Sequence, residues 1–320
     1  MIFIFSSSYD LSTDLVIDWL NYYKYPFFRF NSEDIFDQAF KIDLLNETIY
    51  FKGVIIPIEK VKAIWFRKIW ITKTFQLFKE HKLDFESHLR LHKEHLSVFK
   101  TLYYLLKKKE WLTNPNNSML NKCSVILEAK SAGLNVPETH IVNSKRDVLE
   151  FAKSNRYIIK SSNEPVSLFD EGLYTMYTKS ISEKLTDKFS LPEIISPSLV
   201  QEKIEKDYEI RTFFLREKFY SMAIFSQENT RTKEDFRDID WSKSNRVVPY
   251  KLPTEIEKKT KRVMRMVGLN CGSIDYIKGV DGKYYFLEIN PVGQYGMVDF
   301  PCNYNLNKEI ALELMRMDGA

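Results

Sequence analysis

Two carboxylates and one amide toward the end of the chain have a spacing that could do chemistry. Glu288 and Asn290 lie in the run Tyr284-Tyr285-Phe286-Leu287-Glu288-Ile289-Asn290-Pro291. The aromatic and β-branched residues of Tyr284 to Ile289 predict a strand. Residues two apart on a strand project to one face, so the Glu288 and Asn290 oxygens point together. Asp275 lies thirteen residues before Glu288, inside a second apolar run, Gly272-Ser273-Ile274-Asp275-Tyr276-Ile277. Between the runs, Val280-Asp281-Gly282-Lys283 holds an Asp-Gly pair, a signal for a hairpin turn. Two antiparallel strands then bring Asp275, Glu288 and Asn290 within reach of one another. Two carboxylates and an amide oxygen are hard ligands of the kind that suit Mg²⁺. The plainer alternative is a surface hairpin with incidental acids. Against it, the flanking runs are largely apolar, and acids inside a mostly buried strand are costly unless paired or metal-bound.

The elements that must position these groups belong to an ordinary globular chain. It has 320 residues, 44% hydrophobic and 28% charged, which allows two or three subdomains. A net charge of +4 is too mild to argue for nucleic acid. No apolar run approaches the roughly 20 residues of a membrane span. Met1 to Phe5 has neither the basic start nor the long apolar core of a secretion signal and reads as a first strand. Cys123, Cys271 and Cys302 are far apart with no metal spacing, which fits a reducing, cytoplasmic setting.

In order, Ile2 to Phe5, a helix through Leu15 to Leu20 capped by Ser12 or Thr13, and Pro26 to Phe30 predict β-α-β, the opening of a small α/β domain. Its first turn has no Gly-rich dinucleotide fingerprint. Thr48 to Ile58, with Gly53 between apolar runs, predicts two short strands. In Val61 to Lys68, Trp65 and Arg67 share a strand face, and an Arg at that strand end is well placed to meet an anionic ligand; the alternative is a solvated basic turn. Leu83 to Trp111 carries Leu89, Leu96, Phe99, Leu102, Tyr103 and Leu106 at helical spacing, with Lys107 to Lys109 suiting its C-terminal dipole. His88, His92 and His95 fall on one face of that helix and could bind a metal, although no acid on the face completes such a set. The turn-rich Trp111 to Asn117 suggests domains of 1–112, 113–198 and 199–320.

The helix over Ser118 to Ala132 opens near Lys122 and is ended by Gly133. Strands are expected over Val136 to Val142, over Tyr157 to Lys160 and from Ser198 to Ile204, with a short helix over Asp147 to Lys153. Ser161 to Thr175 resembles a mobile loop. Glu209 and Arg211 share a face of the next strand, and Lys218 to Ser226 pairs with it. Thr230 to Lys251 is a long polar stretch carrying Lys243, Asn245 and Arg246. A helix over Pro253 to Leu269, a loop over Gly293 to Pro301 and a closing helix over Leu306 to Met317 complete the expectation.

The order of Lys122, Lys160, the Gln201-Glu202-Lys203-Ile204 run, Glu209, Asp275, Glu288 and Asn290 resembles the ATP-grasp superfamily over residues 1 to 317. That resemblance implies an α/β chain with an ATP-grasp fold, in which an N-terminal pre-ATP-grasp α/β domain precedes two α+β subdomains that sandwich ATP. It implies ATP and Mg²⁺ as cofactors. Lys122 and Lys160 then hold phosphates, and Gln201, Glu202, Lys203 and Ile204 form the hinge that reads adenine. Glu209 meets the ribose, Arg211 and Arg246 are the catalytic cations near the transferred phosphoryl, and Asp275, Glu288 and Asn290 bind the metal. Many members carry a glycine-rich flap over the phosphates, whereas the stretch after Lys160 has only Gly172.

A narrower resemblance rests on Ile64-Trp65-Phe66-Arg67-Lys68, Trp111-Leu112-Thr113-Asn114-Pro115, Asn121-Lys122 and the run from Leu287 to Pro301. These are similar to the graspetide synthetases, of the grasp-with-spasm peptide maturase type. The resemblance implies a ligase that phosphorylates Asp or Glu side chains of a ribosomal precursor peptide and closes side-chain esters or amides. It implies a precursor-peptide partner, with Arg67 as a possible substrate contact and Leu83 to Trp111 as a candidate leader-binding region. Charge and hydropathy give no nucleic acid or membrane partner, and a homo-oligomer stays open beside a monomer. Two other readings stand beside it: a ligase that adds an amino acid to a protein or small acid, and a non-catalytic ATP- or peptide-binding module.

Overall fold

A computed structural model describes residues 1–67, 82, 84–154, 156–160, 168, 169, 173, 174, 179–181, 192–227, 232 and 244–319. The chain divides into two compact units, one of residues 1–118 with 305–320 and the other of residues 119–304. Most of the expected loop from Ser161 to Thr175, and Lys243, lie outside the described residues.

The first unit is built on a parallel sheet of β1 (Ile2–Ser6), β2 (Phe27–Asn31), β6 (Ala63–Phe66) and β7 (Glu110–Leu112), in the order β2-β1-β6-β7. Every residue of β1 is buried, as expected for an inner parallel strand covered on both faces. Helix α1 (Leu11–Tyr22) packs with the C-terminal helix, Leu306–Asp318. Its cap is Asp10, not Ser12 or Thr13: the Asp10 carboxylate accepts from the Ser12 amide at 3.1 Å and from the Thr13 hydroxyl at 3.1 Å. A small antiparallel sheet holds β3 (Lys41–Asp43), β4 (Thr48–Phe51) and β5 (Val54–Pro57).

Helix α2 spans Phe85–Leu105, shorter than its apolar pattern suggests. Only Phe99 and Leu102 of it are buried, while Leu89 and Leu96 are exposed. Lys107 to Lys109 fall beyond its end. Trp111 leaves the helical pattern because its ring stacks on Phe5 at 5.9 Å and its indole N–H donates to the Leu106 carbonyl at 3.1 Å. Burying so large a ring in the sheet core outweighs one more helical turn. A one-turn helix, α3 (Pro115–Ser118), closes this part of the unit.

The second unit contains two antiparallel sheets. The first has the order β12-β9-β13-β8, from β8 (Thr139–Ser144), β9 (Tyr157–Lys160), β12 (Lys179–Ser180) and β13 (Ile194–Glu202). Val142, Val148, Ala152, Ile181 and Val200 form its core with α5 (Lys145–Ala152). A separate two-residue pair, β10 (Leu168–Phe169) and β11 (Leu173–Tyr174), lies between β9 and β12 in sequence. The second sheet has the order β16-β15-β14-β17-β18. Its strands are β14 (Lys206–Leu215), β15 (Lys218–Phe225), β16 (Arg246–Tyr250), β17 (Cys271–Gly279) and β18 (Tyr284–Asn290). The expected polar stretch around Arg246 is therefore partly a strand, whose Val247 and Val248 pair with Ile224 and Ala223.

One face of this second sheet packs under α4 (Lys122–Ser131) and α6 (Thr254–Met266). Ile210, Phe214, Ile274, Tyr276, Phe286 and Ile289 meet Val125, Ala129, Val263 and Met264 there. On the other face a short helix, α7 (Gly296–Cys302), buries Val298 and Cys302 against Met222 and Ile224. The expected loop over Gly293 to Pro301 is thus mostly helical. Gly296 and the internal Pro301 hide that helix from a propensity reading, and tertiary burial supplies what propensity does not.

Candidate active site on the polar face of the second sheet

The hairpin of β17 and β18 forms as expected. Its turn holds Gly282 at φ +80°, and the Asp281 carboxylate accepts from the Lys283 amide at 3.0 Å. In the ladder, Asp275 is directly opposite Glu288 and Ser273 is opposite Asn290. Directly paired residues share a face. Simple alternation along β18 would also put Phe286 on that face. The register shifts between Asp275 and Tyr276, so that Tyr276 pairs with Phe286 and Leu287 is the extra residue of a β-bulge. The bulge turns Phe286 into the apolar core, where it is 0% exposed, and leaves Glu288 and Asn290 beside Asp275. Bulges re-aim side chains in this way next to functional sites.

Opposed carboxylates repel unless cations flank them. Here they do. Arg211, paired with Asp275 from β14, places Nη1 3.1 Å from each Asp275 oxygen. Both side chains are buried, at 6% and 11% exposure, so the pair is shielded from solvent. The Arg211 Nε is buried without a hydrogen-bond partner among the described residues. Lys122, the first residue of α4, brings its Nζ to 3.5 Å from a Glu288 oxygen. The donors are oxygen only, and no group of three His, Cys, Asp or Glu that could hold a metal forms among the described residues. A two-carboxylate and amide set of this kind fits Mg²⁺, which normally completes its shell with substrate phosphates and water.

Glu209 lies two residues before Arg211 on the same face of β14 and is buried. It accepts from Lys206 Nζ at 2.6 Å and from the Ser226 hydroxyl at 2.5 Å. In the other sheet, Lys160 at the end of β9 donates to the Gln201 side-chain oxygen at 2.8 Å, and the Gln201 amide donates to Thr139 Oγ1 at 2.9 Å. The Glu202 amide donates to the Glu138 carbonyl at 2.8 Å and the Lys203 amide to the Arg156 carbonyl at 2.7 Å. Ile204, in the connection between the two sheets, has a backbone amide without a partner among the described residues. Beside this connection the Glu138 carboxyl is held below the usual carboxylate range by hydrogen bonds with His140 and Tyr157. Lys206, Ser226 and Ser273 were not singled out from sequence. For Lys206 and Ser273 the available signal was proximity on a strand to Glu209 and Asp275, and Ser226, just past the end of β15, carried no such signal.

One residue expected at the site is not brought to it. Arg246 pairs with Phe225 on the sheet face opposite to Arg211, and its guanidinium lies over the Phe225 ring at 4.6 Å. Two strands separate β16 from Asp275, and the alternation of β16 points Val247, not Arg246, to the polar face. Arg67 belongs to the first unit, where it is buried, lies over Trp65 and reaches the Asp10 carboxylate at 3.3 Å, tying the β6 end to the α1 cap. The three helix histidines do not converge either: His88 and His92 stack at 6.4 Å, while His95 lies edge-on to Phe36 at 4.4 Å and burial pushes its pKa down.

No protein-family model and no curated protein sequence matches the chain. Solved structures do. The macrocyclase MdnC of Microcystis aeruginosa, bound with the precursor peptide MdnA, is 26% identical, with 99% of each chain covered and a TM-score of 0.81. The chain has the fold of the ATP-grasp ligases. A RiPP-associated ATP-grasp ligase of Chryseobacterium gregarium, in complex with ADP and a leader and core peptide, shares the fold at 20% identity, over 98% of this chain and 96% of that one, with a TM-score of 0.80. The ligase PsnB, complexed with minimal precursor, Mg and ADP, does so at 15% identity, over 99% and 97% of the two chains, with a TM-score of 0.79. The chain has no helix among its described residues long and apolar enough to cross a membrane.

Proposed function

We propose that this ATP-grasp ligase activates a side-chain carboxylate of a ribosomally made precursor peptide and closes it, through a Ser or Thr hydroxyl or a Lys amine of the same peptide, into an ester or amide cross-link. The observation that carries the reading is the opposed pair of Asp275 and Glu288, flanked by Arg211 and Lys122, on the polar face of a sheet shared with peptide-bound ligases. A cytoplasmic setting, where ATP and newly made peptide meet, belongs to the same proposal.

In this reaction a carboxylate oxygen of the peptide attacks the γ-phosphorus of ATP. An O–P bond forms and ADP leaves. The peptide nucleophile then attacks the acyl carbon and inorganic phosphate departs, while the nucleophile's proton passes to solvent. Such transfers depend on positioning and charge more than on covalent participation by the protein. Asp275, Glu288 and Asn290 would hold Mg²⁺, which supplies charge neutralisation on the phosphates. Lys122 and Lys160 would hold phosphate oxygens, Lys122 by exchanging Glu288 for them. The Ile204 amide would donate to the adenine edge beside Gln201, Glu202 and Lys203. Glu209, already oriented by Lys206 and Ser226, would accept from the ribose hydroxyls. Arg211 would hold the Asp275 carboxylate in place through its Nη1 contacts.

The test is the intact mass of the short peptide encoded beside this protein, after co-expression. Loss of one water per ring, absent with Glu288→Gln, is the expected result. An unchanged peptide, with ATP consumed only when free amino acids or other acids are supplied, would move the assignment to an amino-acid-adding ligase. An unchanged peptide with no ATP consumption would leave a binding module.

A further inference from the structure

The three oxygen donors stand on backbone of unequal security. Asp275 is in the middle of β17, flanked by β14 and β18. Asn290 is the last residue of β18, its side chain is exposed, and its amide group makes no hydrogen bond among the described residues. What fixes its direction is a close approach of two stretches of chain. A Cβ added at Gly272 would lie 3.1 Å from the Asn290 carbonyl oxygen and 3.4 Å from the Pro291 Cα. A Cβ added at Gly293 would overlap the Cβ and hydroxyl of Ser273 and lie 3.0 Å from its amide nitrogen. The Gly293 amide donates to the Asn290 carbonyl at 3.1 Å. The chain leaving β18 therefore folds back at once onto Gly272 and Ser273, the residue paired with Asn290. Ser273 is 1% exposed, shares the face of Asp275, and its hydroxyl has no hydrogen-bond partner among the described residues.

We infer that Gly293 and Ser273 are positioning residues: their contact clamps the turn after β18 and so aims Asn290 at the cation site. Glycine is required at 293 by space, since its φ is not in the left-handed region. The inference rests on the assignment of Asp275, Glu288 and Asn290 to Mg²⁺. Residues that orient metal ligands from behind are worth about 10- to 100-fold in affinity.

The test uses the full chain and titrates Mn²⁺–ADP by calorimetry, with ADP in excess EDTA as the metal-free comparison. Gly293→Ala is expected to weaken Mn²⁺–ADP binding about 10- to 100-fold while leaving ADP alone unchanged. The double variant S273G/G293A removes both overlapping atoms and is expected to return toward the parent. Parent-like Mn²⁺–ADP binding by Gly293→Ala overturns the clamp, as does an equal loss with and without metal. If Gly293→Ala alone fails to fold, a folded, Mn²⁺–ADP-binding double variant supports the contact and an unfolded one overturns it. A parent protein that binds no Mn²⁺–ADP would overturn the metal assignment beneath it.

Discussion

The two faces of the β16-β15-β14-β17-β18 sheet are made by the same strands and do opposite things. One face sets Ile210, Phe214, Ile274, Tyr276, Phe286 and Ile289 against α4 and α6 and reads as an ordinary closed core. The other lines up Glu209, Arg211, Asp275 and Glu288 with Asn290 at the end, and α7 covers the part of it that holds Met222, Ile224 and Val247. Period-2 alternation lets one strand serve both purposes, because adjacent residues never share an environment. At β18 alternation alone would fail, since Phe286 needs the core and Glu288 needs the open face. The bulge at Leu287 resolves that conflict. Stability and chemistry are therefore separable here at the level of neighbouring residues.

Glu288→Gln should act on the polar face alone. Peptide modification should fall by about 10²–10³ while the denaturation midpoint holds or rises, because a like-charge opposition with Asp275 is relieved. A midpoint that drops sharply would mean the acid is structural.

Phe286→Ala is the reciprocal experiment, two residues away. It should cost about 3–5 kcal/mol of stability, with turnover per folded molecule retained at low temperature. Loss of turnover without loss of stability would place the ring in the site instead of the core. The smallest effect is expected from Arg246→Ala. Its contact with Phe225 is an exposed cation–π pair, so stability should change by about 1 kcal/mol or less and turnover should stay near the parent value. A large fall in turnover would return Arg246 to the catalytic role that its sequence position first suggested.

Much of this organisation was legible before any coordinates. The hairpin could be read because Asp-Gly turn chemistry is local and the runs on either side are apolar and β-branched. The opening β-α-β of the first unit was visible for the same reason. What escaped had non-local causes. The α7 helix contains Gly296 and Pro301 and forms because Val298 and Cys302 find Met222 and Ile224. Strand β7 takes Trp111 out of a helical pattern because Phe5 is there to receive it. Arg67 at the end of β6 closes on the cap of α1, through Asp10 far back in the chain.

The chain's own pattern determined that Asp275, Glu288 and Asn290 would meet across a hairpin, and the order of its lysines and acids already resembled an ATP-grasp enzyme. Side-chain alternation and turn preference act over a few residues, and so they are written in the sequence. Only the tertiary structure decided where the bulge falls, which cations face which acids, and that Arg246 turns away. Those outcomes depend on residues far apart in the chain competing for one core, in which Phe286 and Ile289 are both buried while Glu288 stays on the polar face.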